Sequence, residues 1–276
     1  MPTFKLKNIM AISSNIKIVT LVLALGVGSN LVLPEYSFAF DPRKVFKEEK
    51  PSTRKILRHY FMKKKRGEVK EAHDILKYAA QQGNPAAQWK LGRMYERGEG
   101  VKKNALEAFN FYKMIADRYG EAQPGRPEWR ITGKAMVALG HYYTKGIPEA
   151  GISPNAEEAM VMYTTSAMYF SDPDAQFELG KLMLGKGAGP EQNRQGIRML
   201  NLSRKKGHAG SQALLGHALV EGEFILQNVV RGLVMLTKAE RRATHDIRDW
   251  VQDLQQQAFA LATVDQRRAA ISKIQQ

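Results

Sequence analysis

Six histidines, at positions 59, 73, 141, 208, 217 and 245, are the residues of this chain best suited to proton transfer or metal ligation, and no cysteine accompanies them. A transition-metal site needs three or four such ligands at short spacings, and a zinc hydrolase helix needs a His-Glu-x-x-His stretch. Neither occurs in the sequence. His73 adjoins an apolar stripe, while His141 and His217 directly follow Leu-Gly pairs, so packing or surface roles account for them better than ligation does. Gly185-Lys186-Gly187-Ala188-Gly189 has the glycine content of a phosphate loop but lacks a preceding strand and the Gly-Lys-Ser/Thr ending. The expectation is a protein without catalytic, cofactor-binding or metal residues, with an unfamiliar hydrolase as the weakest rival.

The elements that would position any functional residue are helices in a repeat. Ala72, Ala108, Ala159, Gly196 and Gly232 lead five segments, followed three residues later by Ile75, Phe111, Met162, Met199 and Met235. Leu76, Tyr112, Tyr163, Leu200 and Leu236 come at the fourth step, and Ala79, Ile115, Ser166, Ser203 and Ala239 at the seventh. Offsets of zero, three, four and seven trace one stripe of an α-helix. Four of the five segments are followed by a second helix marked by Leu91-Gly92, Leu139-Gly140, Leu179-Gly180 and Leu215-Gly216. Glycine inside a helix costs about 1 kcal/mol relative to alanine, so its return at one column predicts close approach of a neighbouring helix. The leading residues lie 36, 51, 37 and 36 positions apart, which gives a period near 36 and an enlarged second unit. Most of the excess falls between Arg118 and Trp129, with some near Ile147 to Pro154. Asn104, Asn155, Asn193 and Asn228 stand where a first-turn amide needs an acceptor. Glu107 and Glu158 complete a capping-box spacing in two of these cases.

These columns resemble the Sel1-like repeats, whose pattern runs Ala-x-x-Trp-Tyr-x-x-Ala-Ala, then Ala-x-x-x-Leu-Gly-x-x-Tyr-x-x-Gly-x-Gly-Val. The stretch from Ala72 to Val101 follows it closely, while Gly196, Gly232, Arg204 and Glu240 replace expected alanines. The four asparagines stand where the family usually carries aspartate. The resemblance spans residues 68–240 and implies an all-α, α/α solenoid of helical hairpins. A basic leader and capping helix at 40–67, with Ile56, Leu57, Tyr60 and Phe61 on its apolar side, is expected before it. Capping helices at 241–276 are expected after it, carrying an apolar stripe from Ile247 to Leu261, a polar outer face and a Thr263/Gln266 capping box.

Lys5, Lys7 and Lys17 precede an apolar run from Ile18 to Val27, and Ser37-Phe38-Ala39 offers small residues at the positions a signal peptidase reads. Residues 1–39 are therefore expected to be a signal peptide, leaving a periplasmic chain with no stable membrane insertion. That segment carries three of the 42 basic and one of the 27 acidic residues, so the remainder keeps a net charge of +13. Residues 40–70 hold twelve Lys or Arg against four Asp or Glu. Lys63, Lys64, Lys65 and Arg66 form the densest run, read either as a solvated face or as a dock for an acidic protein surface or anionic leaflet. Nucleic acid is excluded as a partner by export and by the lack of a recognition motif.

Asn110, Lys113, Thr164 and Asn201 lie beside the stripe on helices that line the inner curve in related solenoids, and they are candidate partner contacts. Trp129, at the end of the insertion, is another. The leader, the basic segment, the enlarged second unit and the absence of cysteine are together similar to a periplasmic branch of the family. Its members repress exopolysaccharide production by binding the periplasmic domain of a sensor histidine kinase. That resemblance implies the same role here, without implying contact residues. A general envelope scaffold with several clients is the alternative, self-association is allowed, and protonation of histidines or partner carboxylates in acid is a hypothesis for release.

Overall fold

The computed structural model describes residues 40–46, 51–185 and 187–275. The expected signal segment, 1–39, lies outside them. Among the described residues there are twelve α-helices and no strand, and no helix is long and apolar enough to cross a membrane. The helices are α1 (Thr53–Lys65), α2 (Val69–Gln81), α3 (Pro85–Arg97), α4 (Ala105–Tyr119), α5 (Pro127–Lys145) and α6 (Ala156–Met168). They continue as α7 (Pro173–Met183), α8 (Pro190–Lys205), α9 (Ala209–Glu221), α10 (Val229–Glu240), α11 (His245–Leu261) and α12 (Val264–Gln275). Each helix packs on the next from α1 to α11, and α12 packs on α10. This is an α/α solenoid.

The hairpins close because glycine lets a large side chain reach a helix backbone. A Cβ placed on Gly92 would lie 2.6 Å from the Tyr112 ring, on Gly140 2.5 Å from the Tyr163 ring, and on Gly180 2.8 Å from Leu200. On Gly216 it would lie 3.0 Å from both Leu236 and the Gly232 carbonyl. Each Leu-Gly helix thus receives the fourth-step residue of the stripe helix after it, which is the close approach expected from the glycine column. The stripes themselves are core: Ile75, Leu76, Ile115, Tyr112, Leu200 and Leu236 are fully buried.

Buried serines and glutamines tie neighbouring helices where the apolar seam alone would leave polar backbone atoms dry. Ser166 Oγ donates to the Gly133 carbonyl at 2.8 Å, and Ser203 Oγ donates to the Pro173 carbonyl at 2.7 Å. Gln88 and Gln176 cap the ends of α2 and α6, donating through Nε2 to the Ala80 and Ala167 carbonyls.

Asn104, Asn155 and Asn228 accept the first-turn amides of Glu107, Glu158 and Arg231, as their positions predict. Asn193 does not cap. It sits inside α8, whose N-cap is Gly189, and spends its amide on the Gly185 and Ala188 backbone of the preceding turn. The second-unit insertion breaks the helix over 120–126: α4 stops at Tyr119 and α5 begins at Pro127, so Trp129 lies in the first turn of α5. Proline suits the first helical turn, where its missing N–H costs nothing.

At the N-terminal end α1 buries Ile56 and Tyr60 against α2 and leaves Phe61 57% exposed. At the other end Thr263 and Gln266 exchange both bonds of a capping box before α12. The outer face there is less polar than expected, because Leu261 and Val264 are 67% and 61% exposed.

Candidate partner-binding groove

The Leu-Gly helices α3, α5 and α7 touch one another along the stack, whereas among the described residues α4, α6 and α8 make no comparable contact with each other. Helices that crowd together lie on the inside of a curved stack. A groove of about 810 Å³ follows that inner layer. It is lined by Trp89, Arg93, Glu96 and Arg97 of α3, by Lys134 and His141 of α5, and by Asp174, Phe177 and Glu178 of α7. Lys206 and His208 before α9, and Arg242 and Asp246 near the start of α11, complete it. The expectation that the stripe helices form the inner curve is therefore corrected: periodicity identifies a buried stripe but not the side toward which a stack bends.

The groove walls are built by the same contacts that close the hairpins. Tyr112 crosses Gly92, and its hydroxyl donates to Glu96 at 3.1 Å. Tyr163 crosses Gly140 and meets Nδ1 of His141 at 3.0 Å. Burial raises the pKa of both phenols, that of Tyr163 to about 12, so each remains a neutral hydroxyl at any physiological pH. Arg93 lies over the Trp89 ring at 5.7 Å, and Lys181 lies over Phe177 at 4.7 Å while pairing with Glu178 at 2.8 Å.

Two imidazoles stand in this charged lining. Burial lowers the pKa of His141, with Glu178 and Glu96 opposing and Lys145 and Lys181 reinforcing the shift. Burial likewise lowers that of His208, which Asp174 and Glu178 oppose and Lys181 reinforces. His208 also has a structural duty as the N-cap of α9. Its Nδ1 accepts the Ser211 amide at 3.0 Å, its Nε2 lies 3.5 Å from Asp174, and its ring sits 4.6 Å from Phe177. At the far rim, Asp246 is held below the usual carboxylate range, first by a hydrogen bond from Thr244 and then by the charges of Arg97 and His245. Arg97 belongs to α3 and Asp246 to α11, so the inner layer brings its two ends within electrostatic reach. The chemistry on offer is recognition by mixed charge and aromatic seats. Among the described residues no cluster of three His, Asp or Glu could hold a metal ion.

None of the candidate partner contacts named from the sequence lines this groove, although the histidines His141 and His208 and the stripe residue Tyr112 do. Lys63 is engaged by Glu68 and Glu71, whereas Lys64, Lys65 and Arg66 are exposed at the end of α1. Asn110 and Lys113 are exposed on α4, with Lys113 paired to Asp117 at 2.7 Å. Thr164 is exposed on α6, and Asn201 donates to the Ile197 carbonyl of its own helix at 3.0 Å. Trp129 packs back on the protein, 5.1 Å from Tyr169 and 4.8 Å from Phe170. The groove residues did carry a signal, since they flank the Leu-Gly pairs: Trp89 and Phe177 stand three residues before the glycine, Arg93 and His141 directly after it.

The Sel1 repeat pattern matches residues 85–119, 133–168, 173–208 and 209–242. The chain belongs to the Sel1-repeat family. In that phase each unit starts on an inner, Leu-Gly helix, so α2 precedes the first matched unit and the inner layer is the first helix of every repeat. A protein of Rhizobium meliloti (strain 1021) named exopolysaccharide production negative regulator is 34% identical over 263 residues, covering 95% of this chain and 94% of its own. A protein of the same name from Rhizobium leguminosarum bv. viciae is 34% identical over 209 residues, covering 75% of this chain and 76% of its own. A solved Sel1 repeat protein from Oxalobacter formigenes superimposes with a TM-score of 0.50 at 25% identity, over 64% of this chain and 66% of that one.

Proposed function

We propose that this protein is a non-enzymatic negative regulator of exopolysaccharide production, acting after export to the periplasm. Its inner groove holds the periplasmic domain of a sensor histidine kinase and keeps that two-component system off. The observation that carries the reading is the end-to-end similarity to a regulator of that name, 95% of one chain on 94% of the other. The groove supplies a means. A partner held there is biased toward its off state only if that state binds more tightly, which is a differential-affinity mechanism needing no catalysis.

The test replaces Trp89 and Phe177 together by alanine in a strain lacking the native copy. Expected are raised exopolysaccharide and loss of kinase-domain capture, with the regulator's own level unchanged. Full repression by the double variant would refute the groove, and failure of the unaltered protein to capture the kinase domain would refute the partner. Phosphatase fused after residue 45 should be active only if the first 39 residues direct export. A multi-client envelope adaptor is the second reading, favoured by the near balance of charge in the groove: Arg93, Arg97, Lys134, Lys206 and Arg242 face Glu96, Asp174, Glu178 and Asp246. Envelope pull-downs that return many proteins in place of one kinase would favour it.

A further inference from the structure

Two turns of this solenoid share their length and both fixed ends. Gly98 and Gly222 end α3 and α9 in the left-handed region, at φ 74° and 75°. Asn104 and Asn228 cap α4 and α10, and their backbone amides donate to the Tyr95 and Leu219 carbonyls at 2.9 and 2.8 Å. Between those ends the residues differ in one direction. Where the earlier turn has Gly100 at φ 75°, the later has Phe224 at φ 65°. Where the earlier has Lys102, the later has Leu226, which is 92% exposed.

A side chain in the left-handed region strains the backbone, and such strain persists where it serves a contact. Among the described residues Phe224 packs against none of the buried core clusters, so the core does not account for it. Gln227 fixes the turn by donating through Nε2 to the Val220 carbonyl at 2.8 Å. Leu226 is thus held out on a tied turn.

A recess suited to such a side chain lies at the other end of α10. Helices α10, α11 and α12 border an open depression of about 400 Å³ lined by Phe259, Ile271 and Ile274 together with Thr237, Arg241 and Gln255. Ile271 is 48% exposed, and Leu261 and Val264, at the junction of α11 and α12, are more so. The last helices of a solenoid ordinarily turn a polar face outward. This end leaves an apolar one.

We propose that two copies of this chain pair through their C-terminal ends, Leu226 of each seated in the Phe259–Ile271–Ile274 recess of the other. Projection and recess on one chain let two copies bury each other's Leu226, a contact that closes as a pair when a two-fold axis relates the copies and runs on as an open chain otherwise. The charges agree in sign: Glu221, which also meets His217 of its own helix at 3.1 Å, precedes the projecting turn, and Arg241 lines the recess. The pairing does not depend on what the groove binds.

The test measures the mass of the exported, processed protein by light scattering over a concentration series. A dimer is expected, and Leu226→Asp and Ile271→Asp should each weaken it about tenfold or more. Phe224→Gly should weaken it while leaving the thermal midpoint unchanged or higher, because the glycine relieves the strained backbone; a merely structural Phe224 would lower the midpoint. The chain has no cysteine, so Leu226→Cys combined with Ile271→Cys should give an oxidised band of two chains. A monomer at every concentration, or a dimer indifferent to Leu226→Asp, overturns the proposal. So does a monomeric protein in which Leu226→Asp abolishes capture of the kinase domain, since the turn would then belong to that partner.

Discussion

The inner layer of this stack, α3, α5, α7 and α9, and its outer layer, α4, α6, α8 and α10, divide two tasks that periodicity alone makes look alike. Inner helices give up a side chain at the glycine column and receive one from outside, and their opposite faces carry the charged groove. Outer helices bury Tyr112, Ile115, Tyr163 and Leu200 inward and expose Asn110, Lys113 and Thr164 together with Leu106, Met114, Met160 and Val161. Stability is thus set where the layers touch, and the charged groove lies on the far side of the same helices. A substitution in one column of an inner helix can therefore damage both.

The steepest break in that contrast is expected at the crossing points. Gly140→Val should cost about 3 kcal/mol or more through overpacking against Tyr163, while Thr164→Val on the outer layer should stay within about 0.5 kcal/mol. Denaturant unfolding of the two variants measures the difference; equal midpoints would mean that the layers do not differ as described. Next comes the α9 cap, where His208→Ala should lose about 1 kcal/mol and His208→Asn should keep most of it, because an asparagine oxygen can accept the same amide.

Acidification sharpens the comparison further, since both titrating imidazoles of the groove are inner-layer residues. Their pKa values are lowered in the folded protein, so below the ordinary value of 6.5 the unfolded chain binds more protons than the folded one. The associated stability is complete above that value and is lost as pH falls through the depressed folded values. Protonated Nδ1 of His208 can no longer accept the Ser211 amide, so His208→Asn should flatten the fall in melting temperature between neutral and mildly acidic buffer. The smallest effect is expected at Lys113, whose pair with Asp117 is about half exposed on both sides: Lys113→Glu should change stability by at most about 1 kcal/mol and leave partner capture unaltered.

The repeat, the helical hairpins and the glycine contacts were legible in the sequence because steric demands recur at fixed spacing. Gly92 and Tyr112 announce each other twenty residues apart, and Gly140 and Tyr163 do so twenty-three apart in the enlarged unit. The direction of curvature was not legible, since a stripe records which residues are buried and not which layer is crowded. That one ambiguity is why Asn110, Lys113, Thr164 and Asn201 stand outside the groove that Trp89, Arg93, His141 and Phe177 line. Trp129, at the end of the insertion, stands in the first turn of α5 because Pro127 opens a helix there. Asn193 had the spacing of a cap, but Pro190 begins α8 before it and its amide is used by the preceding turn.

In the third and fourth repeats glycine stands on both sides of the crossing. A Cβ on Gly196 would meet the Gly180 carbonyl at 3.0 Å, and one on Gly232 would meet the Gly216 carbonyl at 2.5 Å. The first two repeats instead place Ala108 and Ala159 opposite their glycines. The departures from the family's alanine at 196 and 232 are thus a matched change that lets main chain approach main chain. Such modules are not interchangeable: a chimera carrying the first repeat's outer helix against the fourth repeat's inner one would meet a methyl group where only hydrogen fits.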